Sequence, residues 1–225
     1  MGDALYSRSP ICQNPRVALM KTTNIVAFDL DGTLVYRESI TAFLLTQLPL
    51  KQRLKGILLA LPQLILGVLL REGNARLKER LLSGFIKGMS VQQYQALGHH
   101  YGTHIIPQYF DHDRLALLQQ HLAAGDEVWL VSASLEVYVA PLAKTLGLSG
   151  ACATRVESDA HGRLTGCFEG HYCWGPEKVA RLAQVTSWND RHLIAYGDSK
   201  GDAELLAAAA KGQLLKKARK SRRRH

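Results

Sequence analysis

The chain has 225 residues, 47% hydrophobic and 21% charged, with a formal net charge of +9. That balance excludes a collagen-like, low-complexity or largely disordered polymer, and the length suits one large domain or a core with an inserted subdomain. Residues 211–225 carry eight Lys/Arg and no acid, so the body is close to neutral and its basic pI says little about what the body binds.

Residues 1–20 show no periodicity and read as a loose extension. They lack the charged start and apolar middle of a signal peptide, and Tyr6 stands where a myristoylation site wants Ser or Thr. Met20, just ahead of the first strand, reads as the translation start. Residues 25–28 form a short continuous apolar run ending in Asp29-Leu30-Asp31-Gly32-Thr33. Such a run marks a strand buried on both faces of a parallel sheet.

Residues 37–111 hold no convincing strand. Gly56, Pro62, Gly67, Gly73, Gly84 and Gly88 divide them into short helices, which predicts a helical cap inserted after the first loop. Within it, residues 57–70 are apolar almost all round, 14 residues where a membrane crossing needs roughly 20. The expectation is the buried core of the cap; the alternative is contact with an anionic membrane surface, flanked by Lys51, Arg53, Lys55 and Arg71. His99, His100 and His104 lack an acid or cysteine at ligand spacing and read as cap surface.

Strands and helices then alternate. Residues 113–124 carry Leu115, Leu118 and Leu122 at helical spacing, closed by Gly125. Residues 127–131 read as a strand ending at Ser132-Ala133-Ser134, with Ser134 capping a helix over 135–146. Residues 153–157 and 163–169 read as a hairpin added to the core. A helix over 177–185, a strand over 192–196 and an Ala/Leu-rich helix over 202–210 complete the pattern. The fold class is α/β: a Rossmann-like parallel sheet core at 21–36 and 112–210, a helical cap at 37–111, and a solvated basic tail at 211–225. Cys12, Cys152, Cys167 and Cys173 form no C-x-x-C pair and no disulfide framework, so a reducing, cytoplasmic setting is expected.

Three strands end in polar residues at one end of that sheet: Asp29 and Asp31, Ser132, then Asp198 and Asp202. Lys178 opens the helix between the last two. Four carboxylates gathered without a cation would repel one another. A hard divalent ion resolves this, and Mg²⁺ is the usual choice where phosphate is the other ligand. Ser132 and Lys178 offer a hydroxyl and a positive charge to phosphate, and the Gly32 and Thr33 amides further donors. Taken singly, Asp-Gly could be a hairpin turn, Asp202 a helix cap, Ser132 a turn residue and Lys178 a solvated helix residue.

The string FDLDGTLV at 28–35 resembles the nucleophile motif of the haloacid dehalogenase-like superfamily. VSAS at 131–134, Lys178 in GPEK and GDSKGD at 197–202 resemble its second, third and fourth motifs, in order. SASLEVYVAPLAKTLGL, ATRVE, GRLTG and EKVARL are similar to the phosphoserine phosphatase-like branch, subfamily IB, whose cap is a helical insertion after the first motif. The resemblance implies a Mg²⁺-dependent phosphatase working through an aspartyl-phosphate. Asp29 would be the nucleophile and Asp31 the general acid and base. Asp29, Asp31 (through its carbonyl) and Asp198 would hold the metal, with Asp202 acting through water or orienting the ligands. Ser132, Ala133 and Lys178 would bind the phosphoryl oxygens.

Glu38 matches a glutamate that in phosphoserine phosphatases helps bind the substrate's amino group; the alternative is a cap-hinge residue facing water. The family's cap arginine has no clear equivalent, Arg71, Arg76 and Arg80 being the candidates. His171, Cys173 and Trp174 either shape the pocket wall or pack structurally. The expected substrate is a small phosphorylated metabolite. Relatives acting on phosphatidylglycerophosphate keep a lipid phosphate at the membrane surface as the alternative, which would make the cytoplasmic enzyme peripheral to the membrane. A nucleic-acid partner for the tail is disfavoured by the complete catalytic set.

Overall fold

The computed structural model describes residues 23–71, 73–188 and 191–220. The N-terminal extension and the start at Met20 lie outside the described residues. Strand β1 (Ile25–Phe28) leads into a cap of four helices: α1 (Ser39–Gln47), α2 (Leu50–Leu69), α3 (Asn74–Ile86) and α4 (Val91–His100). A π-helical turn (Tyr101–Ile105) and a 3-10 turn (Ile106–Tyr109) return the chain to the core. There follow α5 (His112–Ala123), β2 (Glu127–Leu135), α6 (Glu136–Thr145), β3 (Gly150–Thr154), β4 (Val156–Ser158), β5 (Leu164–Phe168), α7 (Pro176–Val185), β6 (Leu193–Gly197), α8 (Ala203–Ala208) and β7 (Lys211–Leu214).

The main sheet has the order β3-β2-β1-β6-β7, parallel throughout. β1 is central, with Phe28 in register with Leu130 and Tyr196, so the segments that follow these three strands share one edge. Alternation along the strands divides the core. Val26, Phe28, Val128 and Leu130 face α5, α6 and the cap; Ile25, Ala27, Val131 and Ala195 face α7 and α8 through Leu182 and Leu205. Both faces are covered, which is why these strands read as continuous apolar runs.

Four sequence expectations outside the cap helices are corrected. Ser134 does not cap α6: β2 runs on through it to Leu135, and its hydroxyl is spent elsewhere. The helix expected over 202–210 is a 3-10 turn (Lys200–Asp202) followed by α8. The β4–β5 hairpin belongs to the cap as much as to the core. Gly88 N–H donates to the Leu164 carbonyl, Leu164 N–H to Met89, and Phe168 N–H to Glu79 Oε1. The fourth concerns the tail.

Residues 211–214, assigned from sequence to the tail, are the edge strand β7. Beyond them Leu215 N–H donates to the Gly197 carbonyl (2.7 Å), Ala218 N–H to the Gly32 carbonyl (2.6 Å) and Arg219 N–H to Asp111 Oδ2 (2.9 Å). Ala218 is buried. The first part of the basic segment thus straps the loops after β1 and β6. A chain ending at Leu214 loses these three bonds; at about 1 kcal/mol each it should melt roughly 5–10 °C lower by circular dichroism. An unchanged melting temperature would show the strap to be dispensable.

The cap's core also departs from expectation. Its buried centre is an aromatic seam with the core: Phe43 and Tyr101 meet Tyr138 of α6 with ring centroids 5.3–5.4 Å apart. Residues 57–70 are not that core. Of α2, only Gly56, Ala60 and Gly67 are buried. Gly84 of α3 sits where a Cβ would overlap Ala60, so α2 and α3 approach through small residues and leave α2's large side chains outward.

Candidate active site

The loops after β1 and β6, the C-terminal end of β2 and the start of α7 surround a cavity of about 160 Å³. Asp29, Asp31, Ser132, Ala133 and Lys178 line it, as the motif reading requires. Ser132 is buried and its Oγ accepts from Ser134 N–H.

Lys178 lies within the first turn of α7, fully enclosed, and donates to Asp29 Oδ1 (2.6 Å) and Asp202 Oδ1 (2.5 Å). Burial works against its charge, but the two carboxylates outweigh it and hold the ammonium above its ordinary range. Burial in turn raises the Asp29 carboxyl, opposed by Lys178 and reinforced by Asp202. An ammonium fixed between two carboxylates is a positive charge built into the floor of the cavity, not a solvated helix residue.

Asp202 is fully buried and its oxygens are committed. Oδ1 accepts from Lys178; Oδ2 accepts from Asp198 N–H (3.2 Å), Ser199 N–H (3.0 Å) and the Ser199 hydroxyl (2.8 Å). It organises the loop after β6 rather than facing a ligand directly. Asp198 Oδ1 accepts from the Thr33 hydroxyl (3.2 Å), and burial raises its pKa.

One ligand oxygen each from Asp29, Asp198 and Asp202 lies within 4.8 Å of the others. Gly32 (φ +88°) permits this: a Cβ there would overlap the Asp198 carboxylate, and an L side chain resists that backbone conformation. Asp29 and Asp198 at this separation, with hard oxygen donors only, fit Mg²⁺, and Asp202 orients them from behind. Gly32 and Thr33, whose amides are expected to meet phosphate, are not among the residues lining the cavity; Gly32 N–H donates to the Val35 carbonyl (2.7 Å) and the Thr33 hydroxyl to Asp198.

Asp31 differs from the others. Its Oδ2 accepts from Ser39 N–H (3.1 Å), the Ser39 hydroxyl (2.8 Å) and the Ser134 hydroxyl (2.7 Å), while its buried Oδ1 has no partner. Burial pushes the carboxyl up to about 6, against the pull of Ser134 and Ser39. Any proton it carries therefore sits on Oδ1. Ser39 opens α1 and also touches the Tyr138 hydroxyl (2.9 Å), while Tyr101 donates to its carbonyl. This relay of Ser39, Ser134 and Tyr138 joins cap to core, and the sequence reading missed it: a serine opening a cap helix carries no motif.

Glu38 reaches the cavity, but it is occupied. It accepts from Thr41 N–H (2.8 Å), capping α1, and pairs with Lys78 of α3 (2.6 Å). Burial opposes its charge, but Lys78 and Thr41 outweigh that and lower its pKa. Arg76 and Arg80 line a separate surface pocket with Glu79 and Cys167, and Arg71 is exposed at the α2–α3 turn. Of the residues before α7, Trp174 lines the cavity beside Tyr172, Cys173 is packed with its thiol on the Cys152 carbonyl, and His171 is exposed. His99, His100 and His104 are surface residues, as expected.

Residues 26–207 match the description of the haloacid dehalogenase-like hydrolases. The chain belongs to that family. Protein CicA of Caulobacter vibrioides is 35% identical over 185 residues, 82% of each chain. The phosphoserine phosphatase SerB1 of Mycobacterium tuberculosis is 36% identical over 126 residues, 55% of this chain and 41% of that one. A Bordetella pertussis protein of unknown function shares the fold, with a TM-score of 0.62 and 24% identity over 84% of this chain and 87% of that one. The enzyme class goes with the family: a phosphatase, of the phosphoserine phosphatase-like branch that the motifs resemble.

Proposed function

We propose that the enzyme hydrolyses a small, soluble phosphate monoester with Mg²⁺, through an aspartyl-phosphate on Asp29. The observation carrying this reading is the convergence of Asp29, Asp198 and Asp202 beside a buried lysine, with Asp31, whose Oδ1 is buried and unpartnered, lining the same cavity.

Asp29 and Asp198 would hold the metal with the Asp31 carbonyl, and Asp202 would orient them. Bound there, Mg²⁺ supplies charge neutralisation between carboxylate and phosphate. Lys178 and Ser132 receive the phosphoryl oxygens and offset the charge that develops on them. An Asp29 oxygen attacks phosphorus; the ester P–O bond breaks as Asp31 Oδ1 delivers its proton to the leaving oxygen. Asp31, now a carboxylate, takes a proton from water. That water attacks the phosphorus of the aspartyl-phosphate, releasing inorganic phosphate and returning Asp29 to a carboxylate.

The cavity's small volume, walled by Tyr172 and Trp174, supports a compact leaving group. Phosphoserine is not favoured, because its amino group would have to displace Lys78 from Glu38. The test is a screen of phosphorylated metabolites and lipid phosphates, with Mg²⁺ and with EDTA. Phosphate release from a soluble monoester, abolished by EDTA and restored by excess Mg²⁺, is expected. Hydrolysis indifferent to EDTA would contradict the cation site; turnover confined to lipid phosphates would contradict the soluble substrate.

A further inference from the structure

Helix α2 exposes what a soluble helix buries. Leu58 is 73% exposed, Leu69 75% and Val68 63%, and the outward surface continues through Leu54, Ile57, Leu61 and Ile65. At 100° per residue these seven side chains span about 120°, and Leu59, Leu66 and Leu70, also exposed, widen the arc to about 220°, more than half the helix circumference. The opposite side, Gly56, Ala60 and Gly67, is closed against α3. A contiguous apolar surface of this kind marks an interaction site.

Charge says what covers it. No charged residue lies between Lys55 and Arg71, α2 itself contains no acid, and the first acid beyond it is Glu72. Lys51 and Lys55 are exposed at one end and Arg71 at the other. Arg53 is tied to the Leu45 carbonyl and does not join them. An apolar arc bounded at both ends by free cations matches the headgroup region of an anionic bilayer. A second copy fits badly. Antiparallel pairing would set Lys51 and Lys55 of one helix against Arg71 of the other, parallel pairing would stack like charges, and one partner helix would leave much of so wide an arc uncovered. Crossing fits badly too: the 15 uncharged residues 56–70 rise roughly 22 Å, short of a hydrocarbon core of about 30 Å.

We propose that α2 is a docking helix that lies in the plane of an anionic membrane surface, its apolar arc toward the acyl chains and Lys51, Lys55 and Arg71 among the headgroups. The claim concerns where the cap sits and holds whichever phosphate ester the core hydrolyses.

The test is flotation of the full chain with phosphatidylcholine vesicles, with and without phosphatidylglycerol. The protein should float with the anionic vesicles. The variant L58E/L61E/I65E should stay at the bottom, and K51A/K55A/R71A should bind on the order of 100-fold more weakly. Both should keep the parent's melting temperature and its hydrolysis of a soluble monoester. Failure of the parent chain to float overturns the proposal. So does undiminished flotation of L58E/L61E/I65E, which would assign binding to the basic C-terminal residues. So does a dimer, by light scattering, that dissociates in L58E/L61E/I65E while neither form binds vesicles. If L58E/L61E/I65E fails to fold, K51A/K55A/R71A decides, and its flotation at parental affinity overturns the proposal.

Discussion

Replacing Asp29 by asparagine should abolish turnover, by at least about 10⁴-fold in kcat, while leaving the fold in place. The substitution removes the attacking carboxylate and one side of the cation site together, and keeps the volume of a residue that is 5% exposed. Asparagine can still accept from Lys178 through its carbonyl oxygen, so the buried ammonium keeps two partners and no large loss of stability follows. The measurement is phosphate release under saturating Mg²⁺, with circular dichroism on the same preparation. Mg²⁺-dependent turnover within tenfold of the parent would remove Asp29 from its assigned role.

Asp31→Asn separates protonation from attack. The loss in kcat should be about 10²- to 10⁴-fold, larger for esters with poor leaving groups than for those whose leaving oxygen needs no proton. The pH profile carries the sharper signature. With its pKa raised to about 6, Asp31 is protonated below that value, so kcat/KM should fall about tenfold per unit on the alkaline side of about pH 6. The variant should lack that limb. Stability moves in the same sense. A carboxyl whose pKa rises on folding stabilises the fold fully below its unfolded value near 3.8, and loses that contribution as pH rises through about 6. In EDTA, the parent should therefore lose stability relative to Asp31→Asn between about pH 4 and 6, by on the order of 2–3 kcal/mol. Parallel profiles of the two proteins would refute this assignment.

The sequence made the sheet and the acidic set legible for a physical reason. Strands covered on both faces must be apolar throughout, so residues 25–28, 127–131 and 192–196 stand out, and the polar residues at their ends fall on one edge. β7 escaped because Lys-Gly-Gln-Leu at a sheet edge meets no such demand; its residues are mostly exposed. Ser39 and Tyr138 escaped because their roles arise where cap and core meet, at contacts between residues about 100 apart in the chain. Glu38 had the right position, and only the structure shows Lys78 already holding it. The exposure of α2 was not legible because an apolar run reports a preference for leaving water and not whether the rest of the chain covers it.

The proposed mechanism requires Asp29 and Asp198 to grip one ion beside the phosphoryl site. Crystals of the full chain grown with Mn²⁺ in place of Mg²⁺ would test it through the metal's anomalous scattering. The account predicts a single strong peak in direct contact with carboxylate oxygens of both Asp29 and Asp198, at roughly 2.0–2.2 Å. A peak bound by neither residue, or by one while the other turns away, would contradict it.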